Sequence, residues 1–376
     1  MTEMVKHVHA IETYPFFSQN SYIKINLSNI GQNYQKLKSI LASESVICAA
    51  VVKGNAYGLG LKEVAKKLYQ RDCRDFWVTN LEEALVTKQN AEFVHVYVFQ
   101  GVNSEEELKF IVQNKFTPVI SEIRQLEVIN DFLQDYSEHP LDIVLNFDTG
   151  MGRDGLQVEE IPVLNLKYCN IRYVMSHLSC AGDEKHFLNK QQLAATKLLK
   201  QNFPQAKFTF ANSAGIFLGK DYHFDMVRPG GALYGVNITE GRENPMLNVV
   251  EFKASILNRK IFDKSQYVGY NATYKASKGD KVLILNVGYY DGYSRVLSNK
   301  SRVYVEGFYL PVIGVISMNA IAVDANQLPD NLFFEIKNVE LIGEKITIEE
   351  IAKLANVDQR EVLTNLSYSC KRIYIS

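Results

Sequence analysis

From residue 46 to about 235, short runs of apolar and β-branched residues alternate with segments whose apolar positions recur at helical spacing. The runs are 46–52 (SVICAAV), 75–78 (DFWV), 94–98 (VHVYV), 117–120 (TPVI), 141–147 (LDIVLNF), 171–176 (IRYVMS), 206–210 (AKFTF) and 224–227 (FDMV). Between the first two, Leu61, Val64, Ala65 and Leu68 fall at i, i+3, i+4 and i+7, which makes one apolar helix face. Leu188, Gln191, Ala195 and Leu198 line one side of a second such segment, 188–201. Eight strands separated by helical crossovers predict an α/β fold, a (β/α)8 TIM barrel rather than an open doubly wound sheet.

A further strand, 22–26 (YIKIN), precedes a helical segment over 27–41 in which Ser28 is the expected N-cap. With the barrel already supplied with eight strands, this one is assigned to pair with a second domain. After about residue 245 the pattern changes. The runs 249–257, 281–287, 302–306, 308–315 and 320–324 are β-rich without long helices between them, while 347–355 reads as helical. The expected organisation is an N-terminal extension over 1–19, a barrel over 20–245 and a β-rich C-terminal domain over 246–376.

Composition narrows the class. At 376 residues the chain is long enough for two cores, and 41 basic against 42 acidic side chains give no basic surface for nucleic acid. Five scattered cysteines without a C-x-x-C pair fit a reducing cytoplasm and offer no metal-ligand spacing. No apolar run approaches the roughly 20 residues that span a bilayer. The first 19 residues lack the apolar core of a secretory signal.

The barrel locates the chemistry, because active sites in this architecture lie at the C-terminal ends of the strands. The first strand ends in Lys53, followed by Gly54, Tyr57, Gly58 and Gly60. An amine at a strand tip, half removed from water, has its pKa lowered toward use as a nucleophile or base. Loops after the seventh and eighth strands often cradle phosphate, and here they read Asn212-Ser213-Ala214-Gly215 and Arg228-Pro229-Gly230-Gly231. Small residues in such loops let backbone N–H groups approach an anion. The same rim receives Asp148 to Arg153 after the fifth strand and His177 after the sixth. A lone lysine, histidine or arginine in a loop is most often solvated or structural. Their convergence on one rim with a phosphate cradle points instead to pyridoxal 5'-phosphate, its aldehyde held by the lysine and its phosphate by the cradle.

These motifs resemble the alanine racemase family. The segments are Lys53 to Gly58, Asp148 to Arg153, Ser176-His177-Leu178, Asn212 to Gly215, Arg228-Pro229-Gly230, Leu233-Tyr234-Gly235, Gly269-Tyr270, Gly288 to Tyr293 and Ser317-Met318-Asn319. They occur in the family's order from about residue 20 to the end. The resemblance implies a cytoplasmic pyridoxal-phosphate enzyme that interconverts L- and D-alanine and supplies D-alanine for peptidoglycan. It also implies a head-to-tail homodimer in which each site combines one barrel with the partner's second domain.

By resemblance, Lys53 binds the cofactor and serves as base for the D-enantiomer, and Tyr270 from the opposite subunit serves the L-enantiomer. Arg228 would face the pyridine nitrogen with His177 beside it. Tyr57, Asn212, Ser213, Gly230, Gly231 and Tyr289 would hold the cofactor, and Arg153 with the backbone of Met318 would meet the substrate carboxylate. No metal is implied. Two bases on opposite faces of Cα suit a reaction that removes a proton from one face and returns one to the other. Lysine and tyrosine must each fall by about three pKa units to work near neutrality, roughly 4 kcal/mol apiece.

Three positions depart from the family. A lysine carried as a carbamate in many members is Asn146 here, which leaves Arg153 to be partnered by an anion such as chloride. The usual aspartate after Ser-Met is Asn319. The family's Tyr-Glu-Val stretch reads Arg360-Glu361-Val362, which would widen or recharge the pocket entrance. The alternatives are a racemase of serine or broader small amino acids, or a degenerate homologue. A decarboxylase is disfavoured because no cysteine lies in the Gly269–Tyr293 or Ser317–Asn319 motifs. A non-catalytic carrier would resemble the barrel alone.

Overall fold

The computed structural model of the chain describes residues 21–136, 140–239, 241–366 and 368–376. The N-terminal extension over 1–19 lies outside them. Contacts divide the chain into two units, one comprising 24–251 with 342–367 and 372–376, the other centred on 252–341 with 368–371.

The first unit carries the barrel. After β1 (Tyr22–Asn26) come β2 (Ile47–Cys48), β3 (Ala50–Val51), β4 (Asp75–Val78), β5 (His95–Val98), β6 (Thr117–Ile120), β7 (Leu141–Asn146), β8 (Cys169–Met175), β9 (Lys207–Asn212) and β10 (Met226–Arg228). The parallel order is β2-β10-β9-β8-β7-β6-β5-β4-β3. The expected first strand, 46–52, is thus split at Ala49, and its halves pair with opposite neighbours. Met226 registers with Ile47 on one side, and Ala50 registers with Phe76 on the other. Nine strand pieces therefore make the eight-unit barrel, and the interrupted strand is where the ring shuts.

Side chains from nearly every strand fill its interior. Ala49, Val51, Trp77, Tyr97, Val119, Val144, Tyr173, Met175 and Met226 form one buried cluster. The rings of Trp77 and Tyr97 stack at 4.4 Å between centroids. Branched and aromatic residues dominate, as packing on both faces of a parallel sheet requires. Crossover helices Leu61–Tyr69, Leu81–Asn90, Glu105–Asn114, Ile123–Tyr136 and Phe187–Asn202 cover the outside. The crossover after β7 carries a 3-10 turn (Val158–Val163), and those after β9 and β10 do so too.

The helix before the barrel, Leu27–Ser39, is capped two residues earlier than the sequence suggested. Asn26 closes β1 in an extended conformation, and its Oδ1 accepts the N–H of Asn29 at 2.9 Å. Ser28 lies inside the first turn, where a hydroxyl cannot serve as N-cap.

In the second unit, β11 (Val250–Ile261) is followed by the hairpin β12 (Gln266–Val268) and β13 (Tyr274–Ala276). Then come β14 (Lys281–Leu285), β15 (Arg302–Val305), β16 (Phe308–Ile313), β17 (Ile321–Asp324) and β18 (Asn338–Ile342); β19 (Lys371–Ile375), last in the chain, is grouped from Arg372 onward with the first unit. The strand order β14-β17-β16-β15-β18-β11 returns to its start through an antiparallel β14–β11 pairing, and β1 stands between β11 and β19. Val268, Ala276, Val282 and Ile313 pack with Phe262 into a core cluster of this unit. Among the described residues no helix is long and apolar enough to cross a membrane.

Candidate active site

Two cavities, of about 970 and 580 Å3, open on the C-terminal rim of the barrel, and Lys53, Phe99, Met151, Arg153 and His177 line both. The smaller one also receives Tyr57, Asn212, Ser213, Arg228, Gly230 and Gly231. The barrel thus brings every candidate residue of its rim to one place. Tyr270, Tyr289 and Met318 belong to the other unit, where each is exposed.

Lys53 follows the split strand and begins an unusual turn. Gly54, Asn55, Ala56, Tyr57 and Gly58 all take left-handed backbone angles, with φ of 62°, 52°, 54°, 56° and 82°. For the three non-glycine residues this costs roughly 1–2 kcal/mol each. Hydrogen bonds hold the turn in place. Glu83 accepts the N–H of Asn55 and of Thr79, each at 2.8 Å, and Asn55 Oδ1 accepts the N–H of Leu61 at 2.7 Å. Glu83 therefore ties the turn to the end of β4. The strained turn delivers Tyr57 back toward the barrel, its ring 4.7 Å from that of Tyr234.

The Lys53 amine lies 5.1 Å from the centre of the Phe99 ring. Although the side chain is open to the cavity, burial holds its pKa below the ordinary lysine value. Arg153, Arg228 and Arg360 push the same way, and Glu83 opposes them.

Arg228 is the most deeply buried charge among the described residues, 2% exposed at the end of β10. It donates to Thr209 Oγ1 at 2.6 Å and to the Ser176 carbonyl at 2.7 Å, and its face lies over Trp77. None of these partners is an acid. Burial lowers its pKa to about 9, so it stays protonated at neutrality. Its Nε is buried without a hydrogen-bond partner. An orphaned donor on a buried guanidinium is costly unless a ligand satisfies it.

His177 takes an N–H from Arg228 on Nδ1 at 3.3 Å. Burial first, then the charges of Arg228, Arg153, Lys53 and Arg360, drive its pKa down to about 3. The imidazole is therefore neutral.

Ser213 Oγ accepts the N–H groups of Gly230 at 2.9 Å and Ala232 at 3.2 Å. This ties the loop after β9 to the loop after β10. A Cβ at Gly230 would meet the Tyr57 hydroxyl at 2.3 Å, so only glycine admits the tyrosine there. The result is a small cradle of hydroxyls and backbone.

In the larger cavity, Asp148 accepts the N–H groups of Gly150, Met151 and Gly152, each at 2.8 Å. Although burial would raise its pKa, these bonds and one from Arg153 hold it below the usual carboxylate value. They shape the loop that presents Arg153. Among the described residues the Arg153 side chain makes no ion pair, whereas Asn146 donates to Ser121 Oγ at 3.1 Å and to the Asp154 carbonyl at 3.3 Å.

In the other unit, the turn at Gly288 to Tyr293 is zipped to the Ser317-Met318 turn. Tyr289 N–H donates to Ser317 O at 3.1 Å and Tyr290 N–H to Met318 O at 3.0 Å. A Cβ at Gly288 would sit 2.2 Å from the Met318 carbonyl, which makes glycine necessary. Tyr270 follows Gly269, whose φ is 72°, and is 65% exposed.

Thr209, Phe99 and Glu83 were not singled out from the sequence, and Ser176 entered only as the neighbour of His177. The only signal for Thr209 was its inward phase on a strand. Chemically, the barrel rim offers an amine of lowered pKa beside three arginines, a neutral histidine and a cradle of small residues, a setting for an anionic ligand and proton transfer.

A family model described as the alanine racemase N-terminal domain matches residues 25–238, and one for the C-terminal domain matches 249–374. The alanine racemase of Rickettsia africae is 36% identical over 360 residues, which span 94% of this chain and 98% of that one. The crystal structure of alanine racemase from Bartonella henselae with covalently bound pyridoxal phosphate is similar at a TM-score of 0.88 and 36% identity, over 95% of this chain and 100% of that one. The biosynthetic alanine racemase from Pseudomonas aeruginosa is similar at 0.86 and 27% identity, over 96% and 100%. With both family models matched in order and such similarity along nearly its whole length, this chain belongs to the alanine racemase family.

Proposed function

We propose that this protein interconverts L- and D-alanine with pyridoxal phosphate held on Lys53. The observation that carries this reading is the single cavity of about 580 Å3 that joins a lysine of lowered pKa to the Ser213–Gly230 cradle and to buried Arg228. The residues fit the cofactor. The Arg228 guanidinium, with its unpartnered Nε, suits a ring nitrogen, and the absence of a side chain at Gly230 leaves room for a phosphate. Tyr57, Asn212, Ser213, Gly230 and Gly231 would hold it from the barrel, and Tyr289 is carried over from the family motif as a further phosphate contact.

When bound, the cofactor supplies an electron-withdrawing ring that acidifies the Cα–H of the amino acid. The Lys53 amine would take or return the proton on one face of Cα. Burial lowers its pKa, which makes the amine a readier proton acceptor than an ordinary lysine. Tyr270 of a second copy serves the opposite face. Arg228 keeps its proton, so a ring nitrogen set against it would receive a hydrogen bond but no full charge, which would limit the electron sink and favour return of the proton over side reactions. Neutral His177 shares Arg228 without competing for its charge. Arg153 and the Met318 backbone orient the substrate carboxylate, and chloride partners Arg153 in place of an acid. A halide soak checks the last point by an anomalous peak beside Arg153.

We further assign the protein to the cytoplasm as a homodimer that supplies D-alanine for peptidoglycan. Incubation of the pyridoxal-phosphate-loaded protein with L-alanine should yield D-alanine, and borohydride reduction should leave the cofactor mass on the Lys53 peptide. A labelled lysine with no D-alanine formed would reject the activity while retaining the cofactor site.

A further inference from the structure

We propose that Arg360 is a phosphate-binding residue: its guanidinium, held by Asp358 beside Gly231, adds a cation to the cradle of Ser213, Gly230 and Gly231. The sequence placed this residue at a pocket entrance, among positions expected in a β-rich domain. The structure groups it with the barrel, where it lines the same cavity as that cradle.

Its position is fixed from both ends. Asp358 Oδ1 accepts the Arg360 N–H at 2.7 Å, and Asp358 Oδ2 accepts from the guanidinium Nη1 at 2.9 Å. One carboxylate thus pins both backbone and side chain. The guanidinium rests against the cradle itself, since a Cβ built on Gly231 would come within 3.2 Å of Arg360 Nε. Arginine presents five N–H donors, and only one here goes to Asp358. Among the described residues the others meet no acceptor. The charge reaches the cavity: burial raises the Tyr57 pKa, and Arg360 is the largest influence opposing that rise.

A planar fork of donors beside backbone N–H groups matches the oxygens of a phosphate better than a point charge does. Asp358 neutralises part of the arginine charge when the cavity is empty, so the cation need not be buried unpaired.

This inference rests on reading the cavity as a pyridoxal phosphate site, and the test separates the two. Apoprotein is titrated with pyridoxal 5'-phosphate and with unphosphorylated pyridoxal, followed by absorbance, for the wild type and for Arg360→Ala and Arg360→Lys. Loss of a charge-assisted phosphate contact should weaken pyridoxal 5'-phosphate binding by about 10- to 100-fold in Arg360→Ala. Pyridoxal binding should stay within about twofold, because that ligand never used the contact. Arg360→Lys should recover part of the loss, and inorganic phosphate should compete less well against the cofactor in Arg360→Ala than in wild type. Equal weakening of both ligands, or no change in either, overturns the phosphate role while leaving the cofactor reading in place. Failure of the wild type to bind pyridoxal 5'-phosphate overturns both. Unfolding curves of the apoproteins confirm that each variant is folded.

Discussion

Nη2 of Arg228 stands 3.3 Å from Nδ1 of His177, and because arginine can only donate, that ring nitrogen is the acceptor. The shorter Arg228 contact assigns the proton of the neutral imidazole to Nε2, which stands 3.5 Å from the Asn212 amide nitrogen and in this tautomer makes no hydrogen bond with it. The pairing with Arg228 works only while the histidine is uncharged, which its pKa of about 3 secures.

That pKa gives a stability signature. The ordinary value is 6.5, so as pH falls from 6.5 toward 3 the unfolded chain takes up a proton that the folded chain refuses. The histidine's contribution is complete above pH 6.5 and declines below it. Between pH 6.5 and 5 the loss reaches at most about 2 kcal/mol, reduced where the ring edge meets cavity water. Denaturation of apoprotein at pH 7.5 and 5 should show wild type losing more stability than His177→Gln. Equal losses would contradict the assignment.

Gly230→Ala should cost about 1–3 kcal/mol by forcing Tyr57 from its place. The hydroxyl is the nearest obstacle at 2.3 Å and the ring carbon behind it stands at 3.1 Å. Tyr57→Phe should therefore recover part of the loss, giving a favourable coupling in a double-mutant cycle measured by urea unfolding. Additive effects would mean that the two residues do not meet.

A shared active site predicts rescue in trans. Lys53→Ala and Tyr270→Phe should each be nearly inactive alone. After mixing and subunit exchange, roughly a quarter of the sites should be intact, because half of the dimers are mixed and each carries one good site. Racemase activity that appears on mixing supports the shared site, and continued inactivity of a mixture shown to exchange rejects it.

Asn146→Asp would replace an N–H donor with an oxygen facing the Asp154 carbonyl, at a position only 4% exposed. We expect a loss of about 1–3 kcal/mol at neutral pH. The new carboxyl's folded pKa should lie above its unfolded value, so the penalty is absent in acid and grows as pH rises. Melting curves of wild type and variant from pH 4 to 8 should diverge toward the alkaline end.

The barrel was legible because a strand buried on both faces must be apolar throughout, and eight such runs at regular spacing leave few alternatives. Lys53, Arg228 and the two small-residue loops stood out since they interrupt those runs at the same end. What was hidden depends on distant pairing. Nothing near Thr209 announces that it holds Arg228, which requires β9 beside β10. Arg360 lies far along the chain, and only three-dimensional contacts reveal that it lines the cavity. The left-handed turn after Lys53 is likewise invisible in residue propensities, since Asn55, Ala56 and Tyr57 adopt it only because Glu83 and neighbouring bonds fix it there.

The break at Ala49 gives the barrel a seam, where Met226 must find Ile47 across all the barrel strands between them. Such long-range pairing is slow to form, since the whole intervening loop must be ordered before it is rewarded. Lys53 stands just past one lip of that seam and Arg228 ends the other. The amine and the guanidinium become neighbours only when the ring shuts, so a nascent chain that has not yet released β10 from the ribosome possesses the lysine but no pocket to put it in. Cofactor capture on this chain is thereby a report that folding of the barrel has finished.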